Sequence, residues 1–196
     1  ILNFPSAWAD SERHHLDKSL NFFEWAVGRP NLTTGFAPHA PYTVSDGGFE
    51  QILRYSNYLD LIIHLHLHES KEEITLHHAE HGNRPIARLR ALGLINSRLQ
   101  AVHMTDLTEV EINQLAAAKV RIAHCPESNL KLASGICPTQ TLLKSGVIVG
   151  LGTDGAASNN DLDIFQELRA AAMLAKVTSG DPTALDAFSA LEMATI

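Results

Sequence analysis

The sequence predicts an α/β fold of the (β/α)8 barrel type. Short apolar strands alternate with helical stretches about five times, as in parallel sheets that are buried on both faces. Polar side chains follow the carboxyl ends of successive strands, and this set comprises His39, His66 with Glu69, His103, His124 and Asp154. In a barrel the carboxyl ends of all strands converge on one mouth. In an open doubly wound sheet only the strand ends beside the switch point meet. No turn carries a phosphate-binding glycine loop, which further disfavours a dinucleotide-binding sheet.

The N-terminal elements follow from apolar spacing and from residues that end helices. Apolar side chains recur at helical spacing from Leu16 to Val27, which predicts a helix over residues 10–28. A glycine and a proline directly after it predict its end. The next elements are predicted as a short strand over 33–38, a helix over 46–59 and a histidine-rich strand over 62–68.

The remaining elements continue the same alternation. Apolar runs predict strands over 99–104, 120–126 and 147–152. Helical spacing predicts a helix that starts near Lys71 and further helices over 85–92, 106–118, 139–144 and 161–176. Thr108 and Glu111 have the spacing of a capping box at the start of one of these helices. Residues 127–138 are predicted to be a polar loop.

The histidine-rich strand is the strongest candidate for a functional site. Its three histidines, His64, His66 and His68, alternate with leucines, so at strand period they are expected to share one face. The carboxylate of Glu69 follows directly, which would place metal ligands beside a group that transfers protons. The alternative is a strand whose histidines are hydrogen-bonded structural residues.

The other strand ends offer single candidates. Asp154, between glycines, could complete a zinc site or accept a proton, or it could merely form an Asx-type turn. Taken alone, His103 and His124 each fit a structural histidine. We do not assign His124, which precedes a Cys-Pro pair, as a metal ligand. Other side chains are expected to be solvated histidines (His14, His15, His77, His78 and His81) or small buried hydrophobes (Cys125 and Cys137).

Composition restricts the partners and the compartment. The net charge of −7 disfavours nucleic acid and anionic membranes as partners. No apolar run approaches the roughly 18 residues of a membrane-spanning helix, and the first residues do not resemble a signal peptide. The two cysteines do not have the spacing of a disulfide framework or a zinc finger. We therefore expect a cytoplasmic protein.

Five sequence blocks together resemble the amidohydrolase superfamily, in particular its branch of methylthioadenosine/S-adenosylhomocysteine deaminases and triazine and chlorohydrolases. The likeness runs over nearly the whole chain, the blocks occur in the family's order, and the last two are highly specific. The blocks are PHAPYT (38–43), HLHES (66–70), AVHMT (101–105), HCPESNLKLASG (124–135) and GTDGAASNN (152–160). The resemblance implies a (β/α)8 TIM barrel of the metal-dependent hydrolase type.

The resemblance also implies roles for individual residues. His66 would bind a single Zn²⁺ or similar divalent ion, and Asp154 would be a further ligand and the general base. Glu69 would be the proton shuttle to the purine ring, and His103 would orient the attacking hydroxide. His39 would contact the substrate near its ribose, with Glu69 and Asp154 also at the substrate. The implied reaction is hydrolytic deamination of a small purine nucleoside, methylthioadenosine or S-adenosylhomocysteine, to its inosine analogue and ammonia.

One part of the family pattern is missing from the sequence. The family takes two more zinc ligands from a His-x-His motif on its first barrel strand, and no such motif precedes His39. We therefore interpret residues 1–196 as the C-terminal portion of a barrel, about strands 4 to 8, without the first strands and the small β-domain. Because a barrel typically needs about 250 residues, we expect an open sheet edge and an incomplete metal site.

The sequence is also compatible with two other functions, and it does not determine the oligomeric state. Another amidohydrolase, such as a triazine dechlorinase or a guanine-type deaminase, would use the same ligands, and a truncated barrel could instead be a non-catalytic partner protein. The family resemblance makes a homo-oligomer plausible.

Overall fold

The computed structural model describes residues 1–195, in which strands and helices alternate along the chain. The strands are short, and helices connect them. In chain order the elements are α1 (Glu12–Ala26), β1 (Gly35–Phe36), α2 (Asp46–Leu59), β2 (Ile62–Leu67), α3 (Lys71–His81), α4 (Pro85–Ala91), β3 (Leu99–His103), α5 (Glu109–Ala117), β4 (Arg121–His124), α6 (Pro126–Lys131), α7 (Thr139–Lys144), β5 (Ile148–Leu151), α8 (Ile164–Ser179) and α9 (Ala187–Thr195). A short 3₁₀ turn, Pro41–Thr43, lies between β1 and α2.

The strands form one parallel sheet whose spatial order is the order of the chain, β1-β2-β3-β4-β5. Each strand pairs with the next one in register; for example, His66 lies beside Val102, which lies beside Ala123. Because every pair is parallel, all five carboxyl ends lie along one edge of the sheet. Within residues 1–195, β1 and β5 each pair on one side only, so the predicted open edge is confirmed.

The core lies between one face of the sheet and the helices. In β2, Ile63, Leu65 and Leu67 are fully buried, whereas His64 and His66 on the opposite face are half-buried. Helices contribute residues such as Phe49 of α2 and Leu89 of α4 to the same apolar cluster. The sheet therefore has one apolar face against the helices and one face that carries the histidines.

Several predicted boundaries are corrected by the structure. Helix α1 is shorter than the predicted 10–28, because the Ser11 hydroxyl caps its start and it ends at Ala26, which leaves Val27 largely exposed. Strand β1 has two residues rather than six, and Pro38, which has no N–H to donate to a ladder, follows it closely. The helix predicted over 46–59 is confirmed.

Two predictions are wrong, one about the exposure of two histidines and one about a loop. His15 and His77 were expected to be solvated but are buried, because the Trp8 ring packs against His15 and the Asn83 carbonyl bonds His77 Nδ1. The first part of the segment predicted as a polar loop is helical, because it belongs to α6, which starts at Pro126 as proline at the first helical position permits.

Other local predictions are confirmed. The capping box of Thr108 and Glu111 forms as predicted, with each side chain bonded to the other residue's backbone N–H. Cys125 and Cys137 are buried and unpaired within the described residues, as expected of small hydrophobes. None of the helices in residues 1–195 combines the length and the apolar character needed to cross a bilayer.

Burial of β2 against the helices predicts a large effect of truncating it. Leu65→Ala should lower the free energy of unfolding by about 2–5 kcal/mol, because Leu65 is fully buried and the cavity cannot collapse completely. The control Leu76→Ala, on the exposed face of α3, should change it by no more than about 0.5 kcal/mol. Urea denaturation measures both values. Equal losses in the two variants would contradict the assignment of β2 to the core.

Candidate active site

The predicted functional side chains meet at the carboxyl edge of the sheet. His39 follows β1, His66 lies in β2, His103 ends β3 and Asp154 follows β5. The imidazole rings of His39 and His66 have centroids 5.2 Å apart, and those of His66 and His103 are 5.4 Å apart. Parallel pairing thus brings together residues that are far apart in the chain.

Three of these side chains have the geometry of a metal site. One ligand atom from each of His66, His103 and Asp154 lies within 4.8 Å of the other two. Imidazole nitrogens and a carboxylate oxygen are the usual non-sulfur ligands of zinc. The structure therefore brings together the two residues predicted to bind metal, His66 and Asp154, and adds His103 to the possible ligands.

Hydrogen bonds orient the two imidazoles for this purpose. His66 Nδ1 lies 2.8 Å from the His39 backbone carbonyl oxygen, and His103 Nδ1 lies 2.8 Å from the Asn129 amide oxygen. Both oxygens are acceptors, so each Nδ1 carries a proton and donates it. The Nε2 lone pairs remain available, which is the arrangement found in histidines that ligate a metal through one nitrogen and donate from the other.

The Asp154 carboxylate is held by three donors. Its Oδ2 accepts hydrogen bonds from the hydroxyls of Ser128, at 2.7 Å, and Ser158, at 2.8 Å. Its Oδ1 accepts one from the Gly155 N–H at 2.7 Å. Burial opposes ionisation, but these hydrogen bonds prevail and lower the pKa of Asp154 below its ordinary value. The side chain is therefore a fixed, ionised carboxylate.

The Glu69 carboxylate also lies close to His103. Its Oε2 is 3.9 Å from His103 Nε2, and Asp154 Oδ2 is 4.0 Å from the same nitrogen. The buried carboxylate of Glu73 holds its backbone, since Glu73 Oε2 accepts from the Glu69 N–H at 2.7 Å and Oε1 from the His68 N–H. The Glu69 side chain is partly open to solvent and sits where it can exchange protons with a ligand at the mouth.

Non-glycine residues with left-handed backbone conformations cluster at the site. His68, His103, Met104 and Asp154 all have φ between 51° and 76°. Such conformations cost on the order of 1 kcal/mol or more each and persist where surrounding contacts enforce them. Here they turn the chain sharply at three strand ends and aim the side chains that follow.

His68 does not share the face of His64 and His66, so that prediction is wrong. β2 ends at Leu67, and the left-handed conformation of His68 turns its ring to the helical side. There its Nδ1 bonds the Asp106 carbonyl oxygen and its Nε2 accepts from the N–H of Ile86. Burial lowers the pKa of His68 to about 4, which makes it a neutral structural histidine.

The other two histidines at these strand ends differ in accessibility. His39 is exposed at the mouth, and its Nδ1 lies 3.0 Å from the Thr43 hydroxyl. His124 is buried, and neither of its ring nitrogens has a hydrogen-bond partner among the described residues. Burial and the neighbouring His103 lower the pKa of His124 to about 3. His39 is the one that a ligand can reach from solvent.

Sequence reasoning missed the residues that support the site. Ser128 and Asn129 lie in the HCPESNLKLASG block and Ser158 in the GTDGAASNN block, but the sequence alone did not connect them to particular side chains. Glu73 had a readable signal, because Ser70 followed three residues later by Glu is a capping-box pattern.

Comparison with known proteins identifies relatives along the whole chain. The sequence profile described as the amidohydrolase family matches residues 8–196. A 5-methylthioadenosine/S-adenosylhomocysteine deaminase of Teredinibacter turnerae is 47% identical over 196 residues, which are 100% of this chain and 44% of that protein. The chain therefore spans less than half the length of this relative.

Solved structures confirm the predicted fold. A zinc-bound adenosine deaminase from Xanthomonas campestris superimposes with a TM-score of 0.98 at 50% identity, over 100% of this chain and 44% of that one. A zinc complex of atrazine chlorohydrolase from Arthrobacter aurescens has a TM-score of 0.84 at 25% identity, over 95% and 42% of the two chains. The five-stranded sheet thus has the fold of part of each of these two proteins, in agreement with the predicted fold class.

The buried Glu73 carboxyl predicts a pH dependence of stability. Burial raises the pKa of Glu73 from 4.5 to about 7. The folded state therefore binds the proton more tightly than the unfolded state, and this stabilisation is lost as the pH rises from about 4.5 to about 7. Titration of Glu73 therefore lowers the free energy of unfolding by at most about 1.4 kcal/mol per pH unit in this range.

Glu73→Gln should remove this contribution to the pH dependence of the free energy of unfolding. Glu72→Gln, on the exposed side of the same helix, should leave the pH dependence unchanged. Urea denaturation at pH 5, 6 and 7 measures the slopes. The same slope in both variants would show that Glu73 does not titrate in this range.

Proposed function

Because the chain belongs to the amidohydrolase family, we propose that it forms the C-terminal portion of a zinc-dependent deaminase. The proposed reaction converts 5-methylthioadenosine or S-adenosylhomocysteine to its inosine analogue and ammonia. The observation that carries the proposal is the convergence of His66, His103 and Asp154 beside Glu69. The names of relatives at 42–47% identity support the substrate class, and the zinc-bound neighbour at 50% identity supports the metal.

The donor set suits a divalent ion. His66 and Asp154 would hold it, with His103 close enough to contact the ion or its ligand. The Nδ1 protons of both histidines are engaged by carbonyl oxygens, so the free Nε2 atoms are in the form that a metal requires. When bound, zinc supplies a Lewis acid that makes water nucleophilic near neutral pH.

Glu69 is the proposed proton donor to the purine. Deamination needs a proton on the ring nitrogen next to the carbon under attack, and a second proton on the departing amino group. Glu69 lies at the mouth, partly open to solvent, and its backbone is fixed by Glu73. It can therefore deliver protons to a base that enters from the open side of the sheet.

Asp154 and His103 are proposed to act on the attacking water. Asp154 is ionised and fixed by its three donors, so it can accept a proton from water as the new C–O bond forms. His103 Nε2 lies 3.9 Å from Glu69 Oε2 and 4.0 Å from Asp154 Oδ2, and its lone pair can accept a hydrogen bond from the attacking water and so orient it. Asp154 would also contact the substrate at the reacting carbon.

His39 is proposed to bind the sugar end of the substrate. It is the exposed histidine of the site, and its ring lies edge-on to that of His66, with centroids 5.2 Å apart. The Thr43 hydroxyl fixes one ring nitrogen, which leaves the other for a ribose hydroxyl. A nucleoside would then extend from Glu69 towards β1.

The rest of the barrel is proposed to come from outside this chain. Residues 1–196 would supply about strands 4 to 8, and the first strands would add the His-x-His ligands.

The proposed binding partner is a small-molecule substrate, and the proposed compartment is the cytoplasm, which the two free cysteines support. Assembly into a homo-oligomer is also proposed, and sedimentation of the full-length protein would test it.

Substitutions in the full-length protein separate metal binding from proton transfer. His66→Ala and Asp154→Ala should lose bound zinc and ammonia release together. Glu69→Gln should keep zinc and lower kcat by about 100- to 10,000-fold, as removal of a general acid does. Ammonia release from 5-methylthioadenosine and zinc content per chain are the measurements.

The exposed imidazole of His78 on α3 provides the control, and His78→Ala should leave both quantities unchanged. Full turnover by Glu69→Gln would remove Glu69 from the mechanism. Full zinc content in Asp154→Ala would remove Asp154 from the metal site.

A further inference from the structure

The two hydroxyls that hold Asp154 come from separate parts of the chain. Ser128 lies in α6, after β4, and Ser158 lies in the loop after β5. Both donate to the same atom, Asp154 Oδ2, at 2.7 and 2.8 Å. The position of this oxygen therefore depends on how the α6 turn and the β5 loop are held relative to each other.

A fully buried carboxylate on α8 connects these two segments. Glu167 Oε2 accepts a hydrogen bond from the backbone N–H of Glu127 at 3.0 Å. Glu167 Oε1 accepts one from the side-chain amide Nδ2 of Asn159 at 2.6 Å. Glu127 directly precedes Ser128, and Asn159 directly follows Ser158. Glu167 thus binds the immediate neighbour of each serine.

The orientation of Asn159 is itself fixed. Its Oδ1 accepts the backbone N–H groups of Asp161, at 3.1 Å, and Leu162, at 2.8 Å, so its Nδ2 must face Glu167. Both partners of Glu167 are therefore donors, and only a side chain with two acceptor oxygens satisfies both. The mechanism proposed above does not account for a buried acid at this position.

We propose that Glu167 is a positioning residue that holds Ser128 and Ser158 at the Asp154 carboxylate. The α6 turn and the β5 loop are joined through its two oxygens, and the two serines are thereby kept within hydrogen-bond distance of Oδ2. This inference rests on the proposed role of Asp154 as a metal ligand and base. Burial raises the pKa of Glu167 to about 7, in agreement with a side chain placed at a cost in stability.

An exchange of the two polar side chains tests the proposal. Glu167→Gln puts an NH₂ group against one of two donors, and Asn159→Asp puts a carboxylate against Glu167. In Glu167→Gln/Asn159→Asp, the Gln NH₂ can donate to the Asp while its oxygen still accepts from Glu127 N–H. Each single variant of the full-length protein should bind Zn²⁺ about 10- to 100-fold more weakly and lower kcat. The double variant should recover to within about threefold.

A matched control separates positioning from stability. Ala175→Gly, buried on the same helix, should lower the Tm without changing the dissociation constant for Zn²⁺, measured by chelator competition well below the Tm. Unchanged zinc binding in both folded single variants, or weakened binding in Ala175→Gly to the same degree, would overturn the positioning role. If Asp154→Ala itself retains zinc, the proposed role of Asp154 as a metal ligand fails; if it loses zinc while Glu167→Gln does not, only this inference fails.

Discussion

Parallel pairing of consecutive strands is the constraint from which the site follows. Because β1 to β5 pair in chain order and in the same direction, every strand ends on one edge of the sheet. Side chains near the carboxyl ends of different strands can therefore meet, whatever their separation in sequence. His66 and Asp154 are 88 positions apart in number, yet their ligand atoms lie within 4.8 Å. The helices stabilise this arrangement because they bury the apolar face of the sheet, which lies opposite the face that carries the histidines.

Conformation at the strand ends then decides which side chains enter the mouth. His68 shows the effect, because a single left-handed residue sends its ring towards α4, whereas His66 two residues earlier faces the site. His103 and Asp154 are also left-handed. A hydrogen bond that His103 donates to the Asn129 amide oxygen, and hydrogen bonds that Asp154 accepts from the hydroxyls of Ser128 and Ser158, fix the orientations of their side chains. Geometry is set by the backbone first and refined by buried polar contacts.

Local patterns made the fold and much of the site predictable. The apolar strand of Ile63 and Leu65, with helices on both sides, is a short-range signal, and so is the capping box at Thr108. The direction of His68 was not predictable, because alternation assumes a continuing strand. The links from Ser128 and Glu167 were not predictable either, because they join residues 26 and 40 positions apart through contacts that only the packed fold creates.

We propose that, in the full-length protein, these strand ends contribute to one catalytic zinc centre that deaminates a purine nucleoside. The most direct test is to remove metal from the full-length protein with a chelator and follow ammonia release from 5-methylthioadenosine during titration with Zn²⁺. We expect no turnover in the metal-free protein, and a rate of ammonia release that rises with added Zn²⁺ and levels off at about one zinc per chain. Turnover that persists without metal, or full zinc binding without turnover of any purine nucleoside, would contradict the proposal.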